Sequence, residues 1–186
     1  MNVEVPRQAR ANMEATDLQR ELELLHAASF GWALSCCRQR KDDAEDVLQT
    51  AYIKVLDGRA TFEGRSSFRT WFFGVIRRTA SEQRRRRWLH ETLLTRWFAG
   101  QPLRFSGPVA SPETGVDSSL LRSALSGLPE RQQQVLHLVY YQDLTVEEAA
   151  GVLGVSVGTA RTHFDRGKRR LRQLLAPQRS ADATRS

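Results

Sequence analysis

The sequence is poor in the residues from which most catalytic and metal centres are assembled. Of 186 residues only two are cysteines, Cys36 and Cys37, and they are adjacent. Neighbouring thiols have neither the spacing of a disulfide framework nor that of a zinc site, so they read as helix core rather than as a redox switch. The four histidines, His26, His90, His137 and His163, are scattered without metal-ligand spacing, and no carboxylate pair accompanies a serine or cysteine nucleophile. A glycine-rich phosphate loop is also lacking, which removes the usual signature of nucleotide hydrolysis. No apolar run approaches the roughly 18 to 20 residues of a membrane span. The N-terminus lacks a basic segment leading into an apolar stretch and a cleavage site, so a cytoplasmic location is expected. These gaps argue against an enzyme, a cofactor, a metal or a small-molecule substrate.

What the chain does carry is charge, unevenly placed. Lys plus Arg number 28 against 21 for Asp plus Glu, a net charge of +7 that favours polyanionic partners. Between Arg65 and Arg87 eight arginines stand against one acid, Glu82. Between Val157 and Arg172 six basic residues stand against Asp165. A solvated surface scatters both signs, whereas a phosphate-binding face gathers one. Asp42, Asp43, Glu45 and Asp46 form the opposite case, a compact acidic cluster that would repel DNA and suits a protein partner better.

Hydrophobic periodicity divides the chain. Residues 1–17 are polar and aperiodic and read as a tail. A long helical pattern through Leu18, Leu22, Leu25, Ala28, Phe30 and Trp32 is interrupted only by Gly31. A second helix is expected from about Asp42, where acids suit the positive end of the macrodipole; it buries Val47, Leu48, Ala51, Tyr52 and Val55 and turns Asp46, Gln49 and Lys54 outward. Asp57, Gly58 and Gly64 mark a loop, and Ser67 to about Leu94 reads as helix, with Phe68, Phe72 and Ile76 as core and Trp71 divided between packing and ligand. Residues 99–119 are rich in Gly, Pro, Ser and Thr and are expected to be a flexible tether. Helical patterning returns over 120–176, and 177–186 reads as a disordered tail. No alternating strand pattern occurs, so the expected fold is all-α: two small helical domains, 18–98 and 120–176, joined by a linker longer than most connections in compact folds.

The segment TVEEAAGVLGVSVGTARTHFDRGKRRLRQLL carries the sharpest local signal. Thr145 followed by Glu148 predicts a capping box for a short helix packed through Val146, Ala149, Ala150 and Leu153. Gly154 permits a tight turn, and small Ala150 allows close helix crossing. Ser156 can cap a second helix with a buried stripe of Ala160, Phe164, Gly167, Leu171 and Leu174. This is a helix-turn-helix pattern. Its outward stripe, with Ser156 at its start and then Thr159, Arg161, Thr162, Asp165, Arg166 and Arg169, suits major-groove reading, and Lys168, Arg170 and Arg172 suit phosphates. A basic helix merely solvated in a bundle is the bland alternative. A dimeric stand-alone regulator, such as a response-regulator output domain, leaves the first domain unexplained, and a nuclease or recombinase lacks a catalytic constellation.

Two stretches then resemble a known family. LSGLPERQQQVLHLVYYQDLTVEEAAGVLGVSVGTARTHFDRGKRRLRQLL resembles region 4, and DAEDVLQTAYIKVLDGRATFEGRSSFRTWFFGVIRRTASEQRRRR resembles region 2, of extracytoplasmic-function (ECF, group 4) sigma factors of bacterial RNA polymerase. The resemblance implies a transcription initiation factor without catalytic activity. Its region 2 would bind core RNA polymerase and recognise and melt the −10 promoter element; its region 4 would read the −35 element and rest on the polymerase flap. It implies docking of Asp43, Glu45, Asp46 and Gln49 on the clamp helices of the largest subunit, with Thr50 where an acid is usual. It implies −10 and melting contacts from Phe62, Arg65, Ser66, Trp71, Arg77 and Arg78, where stacking on aromatic or arginine planes contributes about 1 to 3 kcal/mol per base. An anti-sigma factor and a stress or envelope response also follow from the resemblance.

Overall fold

The computed structural model describes residues 15–97, 121 and 123–182, and among them every regular element is a helix. The chain divides into two compact units, 1–109 and 110–186. The expected tether at 99–119 and most of the expected N-terminal tail lie outside the described residues.

The first unit contains α1 (Ala15–Leu24), α2 (His26–Cys36), α3 (Lys41–Leu56) and α4 (Phe68–Trp97), with α2, α3 and α4 packed on one another. The interruption expected at Gly31 falls instead at Leu25, and Gly31 lies inside α2. Hydrogen bonds from Leu25 N–H to Glu21 O (3.1 Å) and from Ser29 N–H to Leu25 O (2.8 Å) carry the ladder through that junction, so the break is slight. Helix α2 ends on two successive left-handed residues, Arg38 (φ 54) and Gln39 (φ 63). The Gln39 N–H reaches back to Leu34 O at 2.9 Å, closing the helix without a glycine. Asp42 and Asp43 then occupy the first turn of α3, where their charge offsets the helix dipole.

The core of this unit is Trp32, Val47, Leu48, Ala51, Val55, Phe72, Phe73, Val75 and Ile76, all buried. Trp32 is fully enclosed and its indole N–H donates to Phe73 O at 3.0 Å, which meets the polar requirement of a buried tryptophan. Tyr52 and Phe68, expected in the core, are half-buried. Tyr52 keeps its hydroxyl at the surface within 3.0 Å of His26 Nδ1. Lys54, expected to face outward, turns toward α4 and donates to Thr79 Oγ1 (3.1 Å) and Glu82 Oε2 (2.6 Å).

The second unit contains helical residues 123–126, then α5 (Glu130–Tyr140), α6 (Val146–Leu153) and α7 (Val157–Asp182), again packed pairwise. Val135, Leu136, Leu138, Ala149, Ala150, Val152, Leu153 and Ala160 form its core. The stripe expected along α7 is buried at Ala160 and Gly167 but thins beyond them: Phe164 and Leu171 are half-buried and Leu174 is exposed. An α-carbon without a side chain at Gly167 lets α7 lie against α5, since a Cβ there would stand 3.0 Å from Leu136 Cδ1.

Candidate nucleic-acid interface

Three local devices fix the angle between α6 and α7. Thr145 and Glu148 form a reciprocal capping box: the Glu148 N–H donates to Thr145 Oγ1 (3.1 Å), and the Thr145 N–H donates to Glu148 Oε2 (2.8 Å). Gly154 adopts the left-handed conformation (φ 59) that ends α6. Ser156 Oγ accepts from the Thr159 N–H at 3.2 Å and so caps α7. These positions agree with the helix-turn-helix pattern. With Ala160 and Gly167 buried against the unit, the rest of α7 leaves Thr159, Arg161, Thr162, Asp165, Arg166 and Arg169 exposed, and the capping Ser156 is exposed at its start.

That surface is partly organised by its own contacts. The Ser156 and Thr159 hydroxyls share a hydrogen bond of 2.8 Å, and Thr162 Oγ1 donates to Gly158 O at 2.9 Å. Arg161 Nη2 donates to Glu147 Oε1 of α6 at 2.7 Å, and this bond holds the Glu147 carboxyl below the usual carboxylate range. Lys168 lies over the Phe164 ring, 4.9 Å from its centroid, so its stem packs while its charge stays at the rim.

In the first unit the loop between α3 and α4 is shaped by Gly58 (φ 69) and Gly64 (φ 70). Ser67 Oγ accepts from the Thr70 N–H at 3.2 Å and starts α4. Phe62 packs edge-on to Phe68 at 5.5 Å and beside Trp71 at 5.4 Å between ring centroids, so the loop is pinned to α4 by aromatic contacts. Arg65 and Ser66 are exposed, with Arg65 Nη2 2.7 Å from Glu63 Oε2. A cleft of about 390 Å³ opens between α3, this loop and α4, lined among others by Lys54, Arg59, Trp71, Val75, Arg78 and Glu82. Trp71 and Arg78 therefore meet across one concavity, and Lys54 and Arg59, which the sequence reading had not included, join them. Arg77, one residue before Arg78, is half-buried and outside this lining.

The four residues assigned to protein docking divide between two environments. Glu45, Asp46 and Gln49 are exposed on α3, whereas Asp43 is turned inward between Arg40 and Arg87, with Arg87 Nη2 2.5 Å from its Oδ1. This hydrogen bond to Asp43 raises the Arg87 guanidinium above its ordinary range. Cys37 lies beside the same cluster, and burial pushes its thiol up to about 11, which leaves it protonated at neutral pH. Among the described residues no group of His, Cys, Asp and Glu side chains could hold a metal ion, and no helix is long and apolar enough to cross a membrane.

Models of sigma-70 region 2 and sigma-70 region 4 match residues 22–90 and 118–171. The chain is 30% identical over 138 residues to the ECF RNA polymerase sigma factor SigX of Bacillus subtilis, covering 72% of this chain and 71% of that one. The chain belongs to the extracytoplasmic-function sigma factors. The RNA polymerase sigma factor YlaC of the same organism is 29% identical over 148 residues, 76% of this chain and 82% of that one. In the crystal structure of the sigma factor RpoE bound to the anti-sigma factor NepR from Bartonella quintana, the sigma chain is 25% identical, with a TM-score of 0.69 over 87% of this chain and 98% of that one.

In this sigma factor the region 2 match takes in α2, α3 and α4 as far as His90, and the region 4 match takes in α5, α6 and α7 as far as Leu171. Its work is transcription initiation, and the helix-turn-helix is its DNA-binding element. Sequence reasoning missed Phe73, Val152 and the Glu147 contact to Arg161. Phe73 sits in FRTWFFGVIRR, where apolar residues fall on several faces at once, so periodicity could not separate it from Trp71. Glu147 is one of two acids in a helix first turn, where a dipole role explains it equally well.

Proposed function

We propose that this sigma factor, of the group 4 type, directs RNA polymerase to promoters by reading the −35 element through α7 and by recognising and opening the −10 element through the α3–α4 loop and the cleft beside it. The observation that carries the proposal is the exposure of Thr159, Arg161, Thr162, Asp165, Arg166 and Arg169 together on α7, away from the buried Ala160 and Gly167, with the exposed cap Ser156 at its start. In a helix-turn-helix, residues at the start of the second helix reach base edges, and Arg161 is the fifth residue of α7. Lys168, Arg170 and Arg172 supply phosphate affinity without sequence information.

In the first unit, Phe62, Arg65, Ser66, Trp71, Arg77 and Arg78 serve the −10 strand. Trp71 offers a partly exposed ring beside the cations Arg59 and Arg78, with Lys54 paired to Glu82 in the same lining, a combination suited to an unstacked base and its phosphate. The exposed Glu45, Asp46 and Gln49 dock on the clamp helices of the polymerase largest subunit, with Asp43 holding the fold beneath them, and the second unit also rests on the flap. Residues 99–119 tether the two units. Control by an anti-sigma factor is supported by the RpoE relative, whose structure contains one, and a stress or envelope response is the setting proposed for that control. A cytoplasmic location accords with that role.

In vitro transcription with purified core polymerase and a promoter library tests the reading. The wild-type chain should select a two-element promoter, and Arg161→Glu with Arg166→Glu should abolish that selection while core binding persists. Failure of the wild-type chain to associate with core polymerase, or unchanged initiation by the charge-reversed variant, would overturn it.

A further inference from the structure

The acid that organises the exposed side of α7 does not belong to α7. Glu147 is the second residue of α6, fourteen positions before Arg161, and its Oε1 accepts from Arg161 Nη2 at 2.7 Å. The contact spans the turn whose geometry is set by Gly154 and by the Ser156 cap. Asp165 stands one turn along the same helix from Arg161, yet Arg161 bonds across to Glu147. An arginine pairs less well with an acid four residues after it than with one four residues before it, which favours the cross-turn partner.

An exposed ion pair adds little to folding stability, and both side chains here are more than half exposed, so the consequence of this bond lies in orientation. A guanidinium carries five N–H donors in a rigid plane, and bidentate recognition of guanine O6 and N7 requires that plane to be aimed. A bond at one terminal nitrogen leaves the rest of the fork free and restricts where it points. Building on the reading of α7 as the −35 surface, we infer that Glu147 is a positioning residue for promoter reading: it holds one edge of the Arg161 guanidinium and thereby sets the base that Arg161 prefers.

The experiment uses the full chain with core polymerase and a promoter DNA library randomised over the −35 element. At each position it reads the enrichment of the preferred base over the other three, for the wild type, Glu147→Gln, Arg161→Ala and the double variant. Glu147→Gln keeps the side-chain length and leaves the Thr145–Glu148 capping box in place. Arg161→Ala should lower the preference at one position by about tenfold or more, the range expected for loss of a bidentate base contact. Glu147→Gln should lower it at that same position by about threefold to tenfold and leave other positions unchanged, and the double variant should match Arg161→Ala alone. A Glu147→Gln effect that is uniform across the library, or that adds in full to the Arg161 effect, makes Glu147 only a charge near DNA and overturns the inference. If Arg161→Ala itself leaves every preference intact, the assignment of α7 as the reading surface is what fails, and the inference falls with it.

Discussion

At Gly167 the lack of a side chain lets α5 and α7 lie in close contact. A Cβ there would stand 3.0 Å from Leu136 Cδ1, 3.2 Å from Gln132 Cβ and 3.3 Å from Leu136 Cγ, and Leu136 is itself buried. Replacing a helix-interior glycine with alanine gains about 1 kcal/mol of helix propensity, which offsets the small displacement required, so Gly167→Ala should be near neutral. Gly167→Val adds two further carbons to a filled space and should destabilise the second unit by about 1 to 3 kcal/mol, read as a lower urea midpoint at constant slope. His137 is the second residue whose surroundings fix a measurable property. Burial lowers its imidazole from 6.5 to about 4, and its ring stacks on Tyr141 at 5.3 Å. Between those two values the unfolded chain binds a proton that the folded chain refuses, so this contribution is fully present above pH 6.5 and declines as pH falls toward 4. The second unit should lose about 2 kcal/mol between pH 7 and pH 5 from this group, and His137→Gln should flatten the urea midpoint over that window. A wild-type midpoint that stays level across it contradicts the assignment.

At the scale of elements, α3 has two polar sides, one turned into the fold and the other proposed to dock on core polymerase. Its inner side meets α4 along a polar seam: Asp43 with Arg87, Thr50 Oγ1 accepting from Gln83 Nε2 at 3.3 Å, and Lys54 with Thr79 and Glu82. Its outer side presents Glu45, Asp46 and Gln49. Asp43→Ala leaves Arg87 without its carboxylate and should cost the first unit about 1 to 2 kcal/mol, the lower part of the range for a charged hydrogen bond because Arg87 is partly solvated. Asp46→Lys should change the melting midpoint by less than about 0.5 kcal/mol equivalent and weaken association with core polymerase. Reversed results, with Asp46→Lys binding normally and a folded Asp43→Ala failing to bind, place the docking surface elsewhere. The same helix shows what a sequence can reveal. Val47, Leu48, Ala51 and Val55 were legible because a helical period needs only local spacing, and Thr145, Gly154 and Ser156 were legible because caps and turns are local chemistry too. The inward turn of Lys54 depends on Thr79 and Glu82, more than twenty residues away in another helix, and no local signal announces it. The end of α2 was hidden for a related reason: Arg38 and Gln39 take left-handed conformations that sequence reading assigns to glycine or asparagine.

At the scale of the whole molecule, the proposed function has two separate compact units engage one polymerase and one promoter, and on that reading the chain between them governs how often both are engaged at once. Residues 99–119, proposed as the tether, span at most about 70 Å when fully extended, and removing about half of them cuts that reach to roughly 35 Å. Duplex DNA rises about 3.4 Å per base pair, so the shortened tether covers about ten base pairs of element separation beyond the span of the units themselves. Neither core loses a residue in such a deletion, so both units should keep their unfolding midpoints. Initiation from promoters selected by the full-length chain should fall by about tenfold or more, because the second contact is no longer reached within the lifetime of the first. On a library with randomised spacing between the two elements, the shortened chain should select closer pairs than the parent does. Equal activity and an unchanged spacing preference would mean that the two modules are not coupled through this segment, and that promoter geometry is imposed by the polymerase that carries them.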